Sequence, residues 1–178
     1  MPDEIEAKYR LGGPEEQARL RERLVALGAR PEGTAVEQDV LFDRPDGSLE
    51  AAGCVLRLRV RGSGPAGWLT YKGPPARAGV LKRRAELEVA VADAAALRAI
   101  LEALGYVAVL EYAKQREIWQ LGAVAVTLDT LACGWFCEVE GSPEAVMQLA
   151  TALGLAPDAA EPASYPELMA RYRGATRE

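Results

Sequence analysis

The chain has 178 residues, 49% of them hydrophobic, and a net charge of −5 from 26 acids and 21 bases. That balance argues against general nucleic-acid binding, which carries a basic excess, and no run of about 18 apolar residues is present to span a membrane. With no histidine anywhere, Ser-His-Asp and Cys-His catalysis and any histidine base are excluded. Cys54, Cys133 and Cys137 form no CxxC pair, so a zinc site would need an unusual ligand set. The start Met1-Pro2-Asp3-Glu4 lacks a basic and an apolar signal region, and a cytoplasmic location is expected. The length predicts a single domain over 1–178, or one domain with a helical appendage, and residues 173–178 read as a frayed tail.

Residues 3–11 alternate, with Glu4, Glu6, Lys8 and Arg10 on one face and Ile5, Ala7, Tyr9 and Leu11 on the other, the period of a strand. Residues 15–27 read as an amphipathic helix. Residues 36–43 read as a strand, closed by the turn signal Arg44-Pro45-Asp46-Gly47. Residues 54–61 alternate again and pair with 68–72 across a Gly-rich loop as a hairpin. The Gly/Pro/Ala stretch 73–80 reads as a mobile loop. A strand over 81–91 precedes a helix capped by Asp93 and running through Leu104. Strands are predicted at 110–119, 123–129 and 134–140. Ser142-Pro143-Glu144 opens a helix to Leu153. After an Ala/Pro/acidic linker over 156–163, a last helix starts at Ser164-Tyr165-Pro166-Glu167 and ends near Tyr172. The total is about eight strands, mostly hairpin-connected, and four helices, which predicts a largely antiparallel α+β fold.

Three strands carry glutamate, one residue, glutamate: Glu4-Ile5-Glu6, Glu86-Leu87-Glu88 and Glu138-Val139-Glu140. Each aims two carboxylates one way, a liability unless compensated. The same faces hold Lys8, Arg57, Arg59, Lys72, Arg84, Lys114, Arg116 and Asp129. Two readings compete. One is a solvated outer face with weak cross-strand ion pairs. The other is a sheet closed around the charges, its apolar side covered by helices. Such an interior cannot hold isolated ions dry. It would hold water, a hard divalent cation bound by carboxylate oxygens, and an anion bound by Arg and Lys.

In chain order, Glu4-Ile5-Glu6-Ala7-Lys8, Leu56-Arg57-Leu58-Arg59, Thr70-Tyr71-Lys72-Gly73-Pro74, Arg84-Ala85-Glu86-Leu87-Glu88, Lys114-Gln115-Arg116-Glu117-Ile118-Trp119, Leu128-Asp129 and Glu138-Val139-Glu140-Gly141 resemble the motifs of the CYTH superfamily, the triphosphate tunnel metalloenzymes. Ser164-Tyr165-Pro166-Glu167-Leu168-Met169 is similar to that family's C-terminal segment. The resemblance covers about residues 3–172. It implies a closed eight-stranded antiparallel β-barrel that binds a triphosphate with Mg²⁺ or Mn²⁺. By the resemblance, Glu4, Glu6, Asp129, Glu138 and Glu140 are metal ligands. Lys8, Arg57, Arg59, Lys72, Lys114 and Arg116 contact phosphates. Arg84, Glu86 and Glu88 support these groups, and Glu6, Lys8 and Lys72 are the catalytic residues. Arg10, Arg61 and Glu117 are expected at the tunnel mouth or on the surface.

Two departures bear on the chemistry. Many cyclase-type members carry His-Phe ahead of the first motif, and this chain does not. Aligning Gln38-Asp39-Val40-Leu41-Phe42-Asp43 on the family pattern puts Leu41 where a tyrosine is common, and leucine does no acid–base work. The leading expectation is metal-dependent hydrolysis of inorganic triphosphate, a nucleoside triphosphate or thiamine triphosphate. The alternatives are a class IV adenylate cyclase and a polyphosphate- or nucleotide-binding module with little turnover. The expected partner is a small-molecule triphosphate, with no nucleic acid or membrane, and the protein is expected to be a monomer or homodimer.

Overall fold

The computed structural model describes residues 3–175. Its elements in chain order are β1 (Asp3–Leu11), α1 (Pro14–Ala26), β2 (Arg30–Asp43), α2 (Ser48–Ala51), β3 (Val55–Arg61), β4 (Gly67–Lys72), β5 (Ala76–Ala78), β6 (Leu81–Val91), α3 (Ala94–Ala103), β7 (Val107–Leu121), β8 (Val124–Leu131), β9 (Gly134–Glu140), α4 (Pro143–Ala152), a 3₁₀ turn (Pro157–Ala159) and α5 (Tyr165–Ala175). The nine strands form one sheet in the order β1-β9-β8-β7-β2-β3-β4-β6-β5, and β1 also pairs with β6. The order thus returns to its start through eight strands. This is the closed antiparallel sheet expected from the sequence, with β5 added on β6. The ladders β1·β9, β2·β3, β3·β4, β4·β6, β7·β8 and β8·β9 are all antiparallel.

Several elements differ from expectation. Strands β2 and β7 begin earlier than 36 and 110, and the stretch read as a mobile loop contains β5. The short helix α2 follows the predicted turn; Asp43 holds its start by accepting from the backbone N–H of Arg44, Leu49 and Glu50. The predicted tail beyond residue 175 lies outside the described residues. Among the described residues no helix is long and apolar enough to cross a membrane. Asp93 and Ser142 cap α3 and α4 as predicted, accepting from the N–H of Ala96 and Ala145. Leu27-Gly28, Leu104-Gly105 and Leu153-Gly154 close α1, α3 and α4: the three glycines take left-handed φ of 80°, 90° and 69°, the position where helix ends favour glycine.

The chain divides into two compact units. Among the described residues, one comprises 36–76 and 84–113, and the other 4–35, 77–83 and 114–175. In the second unit Ala7, Tyr9, Leu11, Trp119, Val126, Leu128, Cys137 and Val139 pack against Leu20 and Leu24 of α1, Val146 and Leu149 of α4, and Leu153 at its C-cap. In the first, Phe42, Leu58, Val40, Leu56, Val60 and Leu69 pack against Ala94, Leu97 and Leu101 of α3. In both, helices cover the apolar side of the strands. The alternating charged residues occupy the other side.

Candidate functional site

Register fixes which charges share a face in the second unit. Glu6 lies opposite Glu140 and Lys8 opposite Glu138 on β1·β9. Thr127 lies opposite Glu138 on β8·β9, and Arg116 opposite Asp129 on β7·β8. Glu6, Lys8, Lys114 and Asp129 are 7%, 6%, 3% and 0% exposed. Those values rule out a solvated outer face, which would leave such side chains in water.

Buried charges must be paired and hydrogen-bonded, and these are. Asp129 accepts from Arg116 Nε at 2.8 Å and Nη2 at 2.5 Å, from Lys114 Nζ at 3.2 Å and from the Tyr165 hydroxyl at 2.7 Å. Arg116 also donates to Glu138 at 2.5 Å, and Lys8 Nζ lies 3.6 Å from Glu138. Lys82 donates to Glu6 at 2.6 Å. Tyr165 gives the cluster a floor: Lys8 Nζ and Lys114 Nζ stand 4.0 and 4.7 Å from its ring centroid, and Phe136 meets it edge-on at 5.4 Å. Lys8 is further fixed by donating to the Ala163 carbonyl.

Burial opposes ionisation of Glu138, but Arg116, Lys8, Lys114 and Lys82 outweigh it and hold its carboxyl far below the usual range. Asp129 is lowered in the same way, burial being outweighed by Arg116 and Lys114. A carboxyl whose folded pKa is lowered contributes stability that is fully present above its unfolded value and is lost as pH falls toward the folded one. Melting temperature should therefore change little from neutral pH to about 5 and fall steeply below about 4, the unfolded carboxyl range. Melts recorded across that range without added metal check this.

In the first unit Arg59 is clasped by acids. Its Nε and Nη2 each lie 2.7 Å from a different oxygen of Asp39, and Nη1 lies 2.9 Å from Glu37. Arg57 donates to Thr70 Oγ1, which donates to Glu88 at 2.8 Å, while Arg57 Nε is buried with no hydrogen-bond partner. Lys72 pairs with Glu86 at 2.9 Å. Arg84 donates to the carbonyls of Gly73 and Gly53, pinning both loops. Leu41 is buried and lies opposite Arg57, on the charged face. Tyr112 is buried; burial first, then Asp39, raises its pKa well above normal against the opposing pull of Arg57 and Arg59. Tyr165 is likewise raised, by burial and then by Asp129 and Glu138. Both shifts favour the neutral phenol.

The structure brings Glu6, Lys8, Lys114, Arg116, Asp129 and Glu138 together in one unit, with Glu140 beside them in register, and Arg57, Lys72, Glu86 and Glu88 together in the other. Glu4 shares the face of Glu6 by alternation along β1. Arg10 and Arg61 are exposed, with side chains 44% and 39% accessible. Glu117 lies on the helix-covered face, bonded to Arg21 of α1 and to Trp119 Nε1. Lys82, Tyr165, Glu37, Asp39 and Tyr112 escaped sequence reasoning. Lys82 could have been found by extending the alternation Arg84, Glu86, Glu88 back by two residues; Glu37, Asp39 and Tyr112 needed cross-strand register, and Tyr165 the packing of α5 on the strands.

Among the described residues no group of three or more Asp, Glu or Cys side chains stands ready to hold a metal ion, because Glu6, Asp129 and Glu138 are turned to bases. The donor set nonetheless fits a hard divalent cation. Glu6 and Glu140 face one another across adjacent strands, where directly opposite Cβ atoms lie about 4.5–5.5 Å apart. Glu138 follows two residues from Glu140 on the same face, and all donors are carboxylate oxygens. Asp129 would first have to release one of its present donors.

The CYTH domain model matches residues 2–163. This chain belongs to the CYTH family. It is 37% identical over 144 residues to adenylate cyclase CyaB of Aeromonas hydrophila, covering 74% of this chain and 71% of that one. A solved Pyrococcus horikoshii OT3 protein shares 27% identity at a TM-score of 0.80, over 95% of this chain and 99% of its own. A Hippeastrum protein described as a candidate adenylyl cyclase with a dominant triphosphatase activity shares the fold, with a TM-score of 0.74 and 19% identity over 97% and 96% of the two chains.

Proposed function

We propose that this CYTH protein hydrolyses a triphosphate group in a divalent-metal-dependent reaction within its closed β-sheet, the substrate being inorganic triphosphate, a nucleoside triphosphate or thiamine triphosphate. The observation that carries this reading is the burial of both charge signs on one strand face. Lys8, Lys114, Arg116, Asp129 and Glu6 are all under 15% accessible at the side chain, a costly arrangement that becomes useful when a cation and a polyanion are bound. Lys8, Lys114 and Arg116 donate to phosphate oxygens in the second unit, and Arg57 and Lys72 do so in the first. The unbonded Arg57 Nε is a ready donor for an anion. Arg59, whose Nε, Nη1 and Nη2 are all engaged by Asp39 and Glu37, would have to exchange one of these bonds to reach a phosphate. Glu6, Glu138 and Glu140, with Glu4 and Asp129, would hold Mg²⁺ or Mn²⁺, which would supply charge stabilisation and a lowered water pKa.

Incubating the protein with inorganic triphosphate, ATP and thiamine triphosphate, each in separate Mg²⁺ and Mn²⁺ series, should release phosphate from at least one of them. No release from any overturns the proposal. The second reading, a cyclase making cyclic AMP and pyrophosphate, is favoured by the Aeromonas relative's name. Cyclisation also needs the ribose 3′ oxygen held against the α-phosphorus. Chromatography of the ATP products separates the two, since hydrolysis gives ADP and phosphate.

A further inference from the structure

Lys82 lies on β6 with its Nζ 2.6 Å from Glu6 Oε1, the two side chains 12% and 10% accessible. Glu6 in turn faces Glu140 across β1·β9, and like charges directly opposite one another destabilise a ladder. Lys82 therefore supplies positive charge at the place where the carboxylates most need it. Its ammonium also adds to the positive field that lowers the neighbouring Glu138.

A primary ammonium and a divalent cation held against the same carboxylate repel one another and compete for its oxygens. Metal bound by Glu6 therefore loosens its hold on Lys82, and an ammonium released from Glu6, only 12% accessible, has to find another partner. A polyphosphate provides one. We infer that Lys82 is an internal counterion that couples metal binding to triphosphate binding. It holds Glu6 when the site is empty, opposing metal alone, and turns to a phosphate oxygen when metal and triphosphate enter together. This inference rests on the function proposed above. It makes Lys82 a residue that contacts substrate only in the ternary state, and it makes the coupling reciprocal, as any linkage of two binding equilibria must be.

The test reads binding and not turnover. Mn²⁺ affinity is measured by electron paramagnetic resonance, with and without diimidotriphosphate, the non-hydrolysable analogue of inorganic triphosphate. The proteins are the wild type, Lys82→Gln and Lys82→Arg. Lys82→Gln should bind Mn²⁺ alone about tenfold more tightly than wild type, a tenfold change being about 1.4 kcal/mol. The gain in Mn²⁺ affinity that the analogue gives should shrink by a similar factor. Lys82→Arg should behave like wild type. Opposite effects on the two affinities distinguish a coupling residue from a merely structural one, whose loss would weaken both. Should Lys82→Gln melt early, Lys82→Met keeps the aliphatic stem and carries the same expectation. Unchanged or weaker Mn²⁺ binding by the variant, beside a wild type that binds Mn²⁺ with the analogue, overturns the role of Lys82 and leaves the proposed function standing. A wild type that binds no Mn²⁺ under either condition overturns the proposed function and this inference with it.

Discussion

Replacing Asp129 with alanine should destabilise the protein by about 3–5 kcal/mol, the range for removing one partner of a buried ion pair. Asp129 is fully buried and accepts from Lys114, twice from Arg116, and from the Tyr165 hydroxyl. Alanine strands these donors. Lys114, 3% exposed, has no easy route to water, and Arg116 keeps only Glu138 among the bonds described above. Urea denaturation followed by tryptophan fluorescence should show the loss as a lower midpoint at unchanged slope. A midpoint within error of wild type would show that the network is not held through Asp129. Tyr165→Phe removes a single donor and should cost less, about 1–3 kcal/mol for a hydrogen bond to a charged group, because the ring beneath Lys8 and Lys114 is kept. The same denaturation experiment measures it.

Glu6→Gln and Glu138→Gln should each lower metal-dependent phosphate release roughly a hundredfold or more, at or above the upper end of losses seen when groups merely supporting a metal are removed. The glutamine is isosteric and keeps an acceptor for Lys82 in one case and for Arg116 in the other. In Glu138→Gln the guanidinium of Arg116 also retains Asp129. Stability should therefore change far less than activity. Steady-state phosphate release with Mn²⁺, paired with circular-dichroism melts, checks both halves. Activity within a few-fold of wild type in both variants would remove these carboxylates from the reaction.

The strands carrying the charges were legible because alternation is the strongest local signal a half-buried strand gives. It placed Glu6 and Lys8, Arg57 and Arg59, and Glu138 and Glu140 on common faces without any coordinates. The early part of β2 was not legible. Residues Arg30 to Ala35 are mostly exposed and contain Pro31 and Gly33, so no apolar period marks them and pairing alone makes them strand. Helix α2 has only four residues, too few for periodicity; its start is held by Asp43, which looked like the end of a strand. At the site, sequence gave side chains but no partners. Arg59 was read as a phosphate contact, yet its hydrogen bonds to Asp39 depend on the β2·β3 register, which sets these two residues directly opposite. Tyr165 was seen only as part of a C-terminal segment. Its place beneath Lys8 and Lys114 joins residues 157 and 51 positions away in the chain, a proximity that no local pattern records.

The attachment of β1 has a consequence for how the molecule is made. Besides its ladder with β9, Tyr9 bridges Ala160, the Lys8 carbonyl accepts from the Glu161 N–H, and Arg10 bonds the Glu161 carboxylate. These partners of β1 are thus made more than a hundred residues after it. At about 5–20 residues per second, Glu6 and Lys8 wait on the order of 10–30 s before β9 and the 160–163 strap exist. During that interval the apolar residues Ala7, Tyr9 and Leu11 have only α1 as cover and β1 has only β6 to pair with. The charges interleaved with them on β1 should keep an exposed edge hydrated, so the residues that build the site should also oppose edge-to-edge association during synthesis.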